Sequence, residues 1–294
     1  MDAILSLMQQ SLPTFLISVF IFSLLVGSFL NVVIYRLPIM MERAWKAEYQ
    51  SYFHSDDLNE ATTVPPFNLV KPDSTCPHCQ HKIRAWENIP LISYLFLGGK
   101  CANCKASISI RYPLVELFTA LVATFSAWHF GATSQGVWAI FIVFVLIALL
   151  FIDLDKMLLP DQLTLPLVWL GLLLSTQSVF VSPVDAIIGA AVGYMSLWCV
   201  YWAFKLLTGK EGMGYGDFKL LAALGAFTGW QGLPIIILLS SVVGACVGIV
   251  LMISQRKGQS VAIPFGPYLA VAGYLTLLYK TPITNMYLAW VFGS

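Results

Sequence analysis

The fold class predicted for this 294-residue chain is an all-α, polytopic membrane protein, and three observations predict it. Hydrophobic residues make up 58% of the sequence and charged residues only 11%, against about 25% charged in a soluble domain. The apolar residues gather into eight segments, most of them near the ~20 residues that cross a bilayer as a helix. With the N-terminus outside, fifteen of the sixteen Lys and Arg residues fall on the inner side, the bias that sets the orientation of membrane proteins. A net charge of +1 argues against a nucleic-acid partner and leaves membrane lipid as the surrounding partner.

The eight segments run over residues 12–35, 113–130, 137–153, 162–180, 184–204, 217–231, 233–253 and 263–279. The sixth is short and is expected to pack among other helices or to span only partly. Met1–Ser11 carries no basic residue, and a long apolar run follows it, so the first segment reads as a retained span and not as a cleaved signal. Segment 36–111 is then cytoplasmic and holds nine basic residues, from Arg36 to Arg111. Lys156, Lys205, Lys210, Lys219, Arg256 and Lys257 fall in the inner loops, and Lys280 alone lies outside. Both termini are therefore expected on the outer, periplasmic side. Three parts follow: a first transmembrane segment (1–36), a cytoplasmic loop (37–111) and a transmembrane core (112–294). About eight transmembrane helices are expected in all.

The loop contains Cys76-Pro-His-Cys79 and Cys101-Ala-Asn-Cys104, with 21 residues between the pairs. Two CxxC knuckles resemble a zinc ribbon, each pointing two thiolates at one tetrahedral ion. Cys76, Cys79, Cys101 and Cys104 are the expected ligands of a structural Zn2+ in a lobe of about 72–106. So small a lobe has little core, and the metal would supply folding energy. His78 and His81 lie nearby, but four cysteines already fill the tetrahedron. A reducing cytoplasm argues against disulfides. Cys199 and Cys246 fall in apolar segments and are expected to be buried small hydrophobes.

Two acids stand out because ionisable groups at the edge of lipid are costly and, when kept, usually functional. Asp153 ends the third apolar segment, and Asp217 opens the sixth inside Gly214-Tyr-Gly-Asp217. The orientation places both at the cytoplasmic face. Two carboxylates that share a proton are the equipment of an aspartic protease. Asp155 follows within Phe151-Ile-Asp153-Leu-Asp155 but cannot share the helix face of Asp153; with Lys156 it reads as a solvated helix end. Asp161 suits an N-cap for the next helix, as Asp185 does for a later one. Asp217 also has a capping alternative. The glycines at 212, 214 and 216 make a plausible bed for an extended peptide, and the order needed for a phosphate loop is absent. Glu116 is divided evenly between a packed polar anchor and a site residue. Glu42, Glu48, Asp56, Asp57 and Glu60 form an acidic loop face that is either ordinary solvated surface or an attractor of basic peptide.

Other classes leave these features unexplained. An ion-coupled transporter also carries intramembrane acids, but would place them near the midplane rather than at one face. A metal-lobed scaffold gives no reason for Asp153 and Asp217.

The chain is similar to the bacterial type IV prepilin peptidases, the leader peptidase/N-methyltransferases of the GxGD aspartic protease group. The resemblance covers nearly the whole chain. It is carried by Gly27-Ser-Phe-Leu-Asn-Val-Val-Ile-Tyr-Arg-Leu-Pro38, the two CxxC pairs, Arg111-Tyr-Pro-Leu-Val-Glu116, Phe151-Ile-Asp153-Leu-Asp155, Leu159-Pro-Asp161, Gly214-Tyr-Gly-Asp217-Phe-Lys219 and Pro264-Phe-Gly-Pro267. The GxGD motif alone is shared with presenilin-like and archaeal preflagellin peptidases; its combination with the cysteine loop is more specific. The resemblance implies a bifunctional enzyme of the bacterial inner membrane. It would cut the basic leader from type IV prepilins and type II secretion pseudopilins, after a glycine and usually before a phenylalanine. It would then methylate the new amino group with S-adenosyl-L-methionine. The implied catalytic pair is Asp153 and Asp217. A GxGD peptidase without methyltransferase activity is the nearest alternative. No strand–GxGxxG–helix unit is present for a soluble methyltransferase domain, so the residues holding the methyl donor are not assignable from the sequence.

Overall fold

The computed structural model describes residues 11–53, 66–255 and 263–292. Asp56, Asp57, Glu60, Arg256, Lys257 and both chain ends lie outside the described residues. Within them the chain is helical, and its only β pairing is two isolated bridges. Eight long helices match the eight apolar segments: α1 (Leu12–Phe53), α2 (Arg111–Phe130), α3 (Ser134–Lys156), α4 (Asp161–Ser175), α5 (Pro183–Thr208), α6 (Tyr215–Thr228), α7 (Leu233–Gln255) and α8 (Gly266–Phe292). Five of the described helices are long and apolar enough to cross a membrane. The chain divides into two compact units, 1–132 and 133–294.

In the first unit, α1 has 42 residues and outruns its apolar stretch. Residues 39–53 are rich in Met, Glu, Ala and Lys, good helix formers that water does not unwind; hydropathy marks the membrane edge, not the helix end. At ~1.5 Å per residue, α1 is about twice the ~30 Å hydrocarbon thickness. Arg36 is buried and turns its guanidinium outward to the carbonyls of Asn68 (3.0 Å) and Pro72 (2.7 Å). Arg43 stacks on Phe67 at 4.2 Å. These contacts tie the start of the cysteine lobe to α1. Against α2, Gly27 brings the backbones so close that a Cβ there would lie 2.8 Å from the Cα of Glu116. Close approach through small residues is how helices associate where lipid removes the hydrophobic drive.

In the second unit, α6 is the centre. It has only 14 residues, and Asp217, Phe218 and every residue from Leu220 to Thr228 are buried. A helix apolar on all sides belongs inside a bundle, which explains the short sixth segment. Gly189 and Gly193 of α5 lie directly on the carbonyls of Gly225 and Leu221, and Gly171 of α4 meets Ala226. Gly273 of α8 takes the side chain of Leu224. The surrounding core includes Ile142, Leu149, Leu167, Ile236 and Leu269.

Helix ends follow local chemistry. Thr133 caps α3, accepting the Gly136 N–H at 3.1 Å, and Met157 in the left-handed region ends it. α8 bends at Tyr279 (φ −121°), where Pro282 displaces the preceding turn. Three sequence expectations are corrected. The cap of α5 is Ser182, which accepts the Asp185 N–H; Asp185 instead takes the Ser182 hydroxyl and the side-chain N–H groups of Trp230 and Gln231. Asp161 is the first residue of α4 after an N-cap Pro160, and its side chain caps nothing. Cys199 and Cys246 are exposed, because the outer face of a spanning helix meets lipid, where a thiol is as well placed as in a core.

Candidate active site

The two singled-out carboxylates converge in the second unit. Asp153 lies in the last turn of α3 and is 5% exposed; Asp217 lies in the first turn of α6 and is 7% exposed. One side chain, Leu159, packs beside both: against Gly216, next to Asp217, and against Gly266, which borders Asp153. Asp155, two residues on, is exposed, as the ~100° step of a helix requires.

Asp153 is held by the start of α8. The Gly266 N–H donates to its Oδ2 at 3.0 Å, so one carboxylate oxygen rests on the positive end of a helix. Gly266 admits no side chain, since a Cβ there would lie 2.5 Å from that same oxygen. Asp217 is not a cap: α6 has Gly214 as N-cap with no side-chain bond, and Asp217 Oδ1 is buried without a hydrogen-bond partner. A buried polar oxygen left unmatched is costly and calls for a ligand, water or shared proton.

Leu159, in the turn between α3 and α4, spaces the pair. Its side chain fills the gap beside Gly216, where a Cβ would lie 2.6 Å away, and touches the Cβ position of Gly266 at 3.1 Å. From α6, Lys219 Nζ reaches both oxygens of Asp161 on α4 at 2.6 and 2.8 Å. The segment 153–161 and the segment 217–219 are thereby joined at both ends. Gly266, Leu159 and Lys219 lie in the motifs that carry the resemblance, and Lys219 counts toward the charge bias, but the sequence reading gave none of them a role at the site. Gly266 had a signal: a glycine followed by proline at the head of an apolar segment offers a bare helix-start amide.

The cysteine lobe of the first unit is two copies of one turn. Cys76 N–H bonds His81 C=O, and Cys101 N–H bonds Ala106 C=O, each five residues on. Gln80 and Lys105, which follow the second cysteine of each pair, have φ of 57° and 59°. Bridges Thr75–Lys82 and Lys100–Ser107 close the two turns. The four sulfurs lie within 4.8 Å of one another, with Cys76–Cys104 at 3.8 Å and Cys79–Cys101 at 4.0 Å. Sulfurs at about 2.3 Å from a tetrahedral ion stand roughly 3.8 Å apart, while a disulfide needs about 2.05 Å. The set fits one metal ion. Backbone donors prepare it: the His81 N–H draws the Cys79 thiol down to about 7, and those of Cys104 and Asn103 lower Cys101. His81 is engaged elsewhere, with Glu87 at 3.1 Å.

Glu116 resolves as an anchor. It is buried on α2, accepts the Leu91 N–H at 2.9 Å and takes the Ser28 hydroxyl. The lobe and the two helices of its unit meet on this one carboxylate.

A family described as the bacterial peptidase A24 N-terminal domain matches residues 21–130, and the type IV leader peptidase family matches residues 139–249. A prepilin leader peptidase/N-methyltransferase of Aeromonas hydrophila is 60% identical over 287 residues, 97% of this chain and 98% of the relative. Proteins of the same name from Pseudomonas aeruginosa (55% over 274 residues; 93% of each chain) and Legionella pneumophila (46% over 270 residues; 92% and 93%) are also similar. No solved structure matches. With relatives this similar over nearly their whole length, the chain belongs to the type IV leader peptidase family.

Proposed function

We propose that this chain is a prepilin leader peptidase and N-methyltransferase of the bacterial inner membrane. It removes the basic leader of type IV prepilins and type II secretion pseudopilins at the cytoplasmic face. It then methylates the exposed amino group with S-adenosyl-L-methionine. The observation that carries the reading is the buried Asp153–Asp217 pair at the ends of two apolar helices, in a chain whose relatives bear this name.

Asp153 and Asp217 are the proposed catalytic residues. One carboxylate removes a proton from water as it attacks the scissile carbonyl carbon. The other, protonated, donates to the carbonyl oxygen; the C–N bond then breaks and the amine leaves with a proton from the pair. Because the two share protons, the acid and base roles belong to the pair and not to either residue. The Gly266 N–H keeps Asp153 aimed throughout. Zn2+ on Cys76, Cys79, Cys101 and Cys104 is structural, since four thiolates leave no position for water. The Lys and Arg asymmetry supports outer termini and an inner catalytic face. It supports the lobe (about 72–106) as part of a cytoplasmic loop and the remainder from 112 as the transmembrane core.

The deciding experiment is the mass of a purified prepilin after incubation with the enzyme and S-adenosylmethionine. Loss of the leader together with gain of one methyl group is expected. A cleaved, unmethylated product would reduce the chain to a peptidase, and an uncut prepilin would refute the reading.

A further inference from the structure

We propose that the cysteine lobe is seated in the membrane surface: the short helix Ile92–Phe96 and the turn before it lie in the headgroup–acyl boundary of one leaflet, and their partner is lipid. On the topology proposed above this is the cytoplasmic leaflet. The inference goes beyond the peptidase reading and does not depend on the carboxylate pair. The short helix carries Ile92, Leu95 and Phe96 at i, i+3 and i+4, so the three share one face. All are exposed, Leu95 by 76% and Phe96 by 88%. Trp86 and Ile89 are exposed as well. Ser93 fastens them to the same body: its hydroxyl accepts the Ile89 N–H at 2.9 Å and donates to the Trp86 carbonyl at 2.7 Å. A patch of this kind costs free energy in water and marks a surface that meets something apolar.

Glu116 sets the level of the patch. The Leu91 N–H, at the head of the short helix, donates to Glu116 at 2.9 Å. Glu116 lies three residues inside the apolar segment that begins at 113. It also takes the Ser28 hydroxyl and packs on Gly27, which lie seven and eight residues before the first apolar segment ends at 35. At ~1.5 Å per residue these offsets are about 5 and 10 Å, and an interfacial helix sinks its apolar face by ~5–10 Å. At the same level α2 exposes Tyr112 and Leu114. Leu91 itself has φ of 59°, a region leucine rarely occupies. The chain carries that strain where its N–H meets a carboxylate inside the apolar segment.

Charge completes the match. Residues 84–111 hold Arg84, Lys100, Lys105 and Arg111 against Glu87 alone. Glu87 is engaged by His81 and by the Arg84 N–H. Arg84 lies over the Trp86 ring at 5.3 Å, and an aromatic ring beside a cation suits the depth where acyl chains give way to phosphates. Anionic headgroups attract basic residues held at that surface. The lobe is then fixed at two points, by Glu116 from within its unit and by lipid on the apolar face.

The test uses purified full-length enzyme in vesicles of phosphatidylethanolamine and phosphatidylglycerol. The photoreactive p-benzoylphenylalanine replaces Phe96 or, as a reference, His78, which is exposed within the first cysteine pair. Irradiation should give a lipid adduct, read by mass, from position 96 and none from position 78. No lipid adduct at 96 would overturn the proposal, whether the probe joins a second copy, another part of the chain, an added prepilin or nothing. Equal lipid labelling at both positions would overturn it too. Leu95→Glu combined with Phe96→Glu gives a second measurement, made with the cytoplasmic face outward. Each large apolar side chain removed from water is worth a factor of ten or more, and proteolysis tracks the open population, so proteinase K should cut within 86–97 roughly a hundredfold faster at unchanged zinc content. An unchanged rate would overturn the proposal, and the cross-link decides it alone if this variant does not fold.

Discussion

Asp153 and Gly266 occupy each other's space: the glycine amide donates to the carboxylate at 3.0 Å, and the missing glycine side chain is where that carboxylate sits. The two residues are 113 positions apart, so the end of α3 and the start of α8 are locked by one hydrogen bond and one absent methyl group. Gly266→Ala is therefore expected to push Asp153 out of line while the apolar core of the unit stays intact. Displacements of about 1 Å at a reacting group cost on the order of 100-fold. Prepilin cleavage by the variant should fall by about that factor, with unchanged yield of extracted, monodisperse protein. Wild-type cleavage rates in Gly266→Ala would remove Gly266 from the site.

Asp153→Asn and Asp217→Asn are each expected to abolish cleavage, because an amide neither takes a proton from water nor gives one to a leaving amine. Asp155→Asn should retain activity, since its side chain is exposed. Asp161→Asn should keep part of it, losing only the ion pair with Lys219. Rates measured on the four variants in one membrane preparation rank them; an inactive Asp155→Asn beside an active Asp153→Asn would reverse the assignment.

The two activities should separate. Hydrolysis needs both carboxylates, whereas methyl transfer needs a neutral amine beside a sulfonium methyl group. Asp217→Asn is expected to methylate a pre-cleaved pilin peptide at the wild-type rate, followed by radiolabel transfer from S-adenosylmethionine. Loss of transfer in the folded variant would mean that the two reactions share Asp217.

Metal analysis of the purified protein should give about one equivalent of zinc, lost when Cys76 and Cys101 are both changed to serine. The lobe has few buried side chains beyond Cys76, Ser93 and Cys101, so its fold is expected to depend on a bound ion, and limited proteolysis of the double variant should cut within 66–110. Full zinc content in the double variant would place the metal elsewhere.

Glu116→Ala leaves the Leu91 N–H without its acceptor, at a cost of about 1–3 kcal/mol. Proteolysis around residue 91 is expected to accelerate while the zinc content holds. An unchanged digestion pattern would show that the contacts of Arg36 and Arg43 hold the lobe without Glu116.

The eight helical segments, the nearness of Asp153 to Asp217 and the clustering of the four cysteines were legible in the sequence, because each is written in a local pattern: apolar length, an acid at the end of such a run, a CxxC spacing; of those helices, five among the described residues are long and apolar enough to span. The structure departs where a side chain had two equally local uses. Asp161 and Asp185 both look like caps, yet one takes Lys219 from a helix 58 residues away and the other takes Trp230 and Gln231. Glu116 could not be assigned because its partner, the Leu91 N–H, carries no sequence signature. The length of α1 was hidden for a different reason: hydropathy falls at residue 36, but helix formers such as Met, Glu and Ala continue the helix to Phe53.

Because α6 is enclosed by α4, α5 and α8, the element that carries Asp217 has no lipid boundary of its own. Its 14 residues measure about 21 Å, well short of the bilayer, and nothing obliges it to tilt or stretch when acyl chains lengthen. Mismatch is then expected to fall on the longer helices, which adjust by small tilts, while the helix that bears Asp217 keeps its place beside Leu159. On the proposed peptidase reading, the carboxylate pair would in this way be insulated from the thickness of the membrane around it.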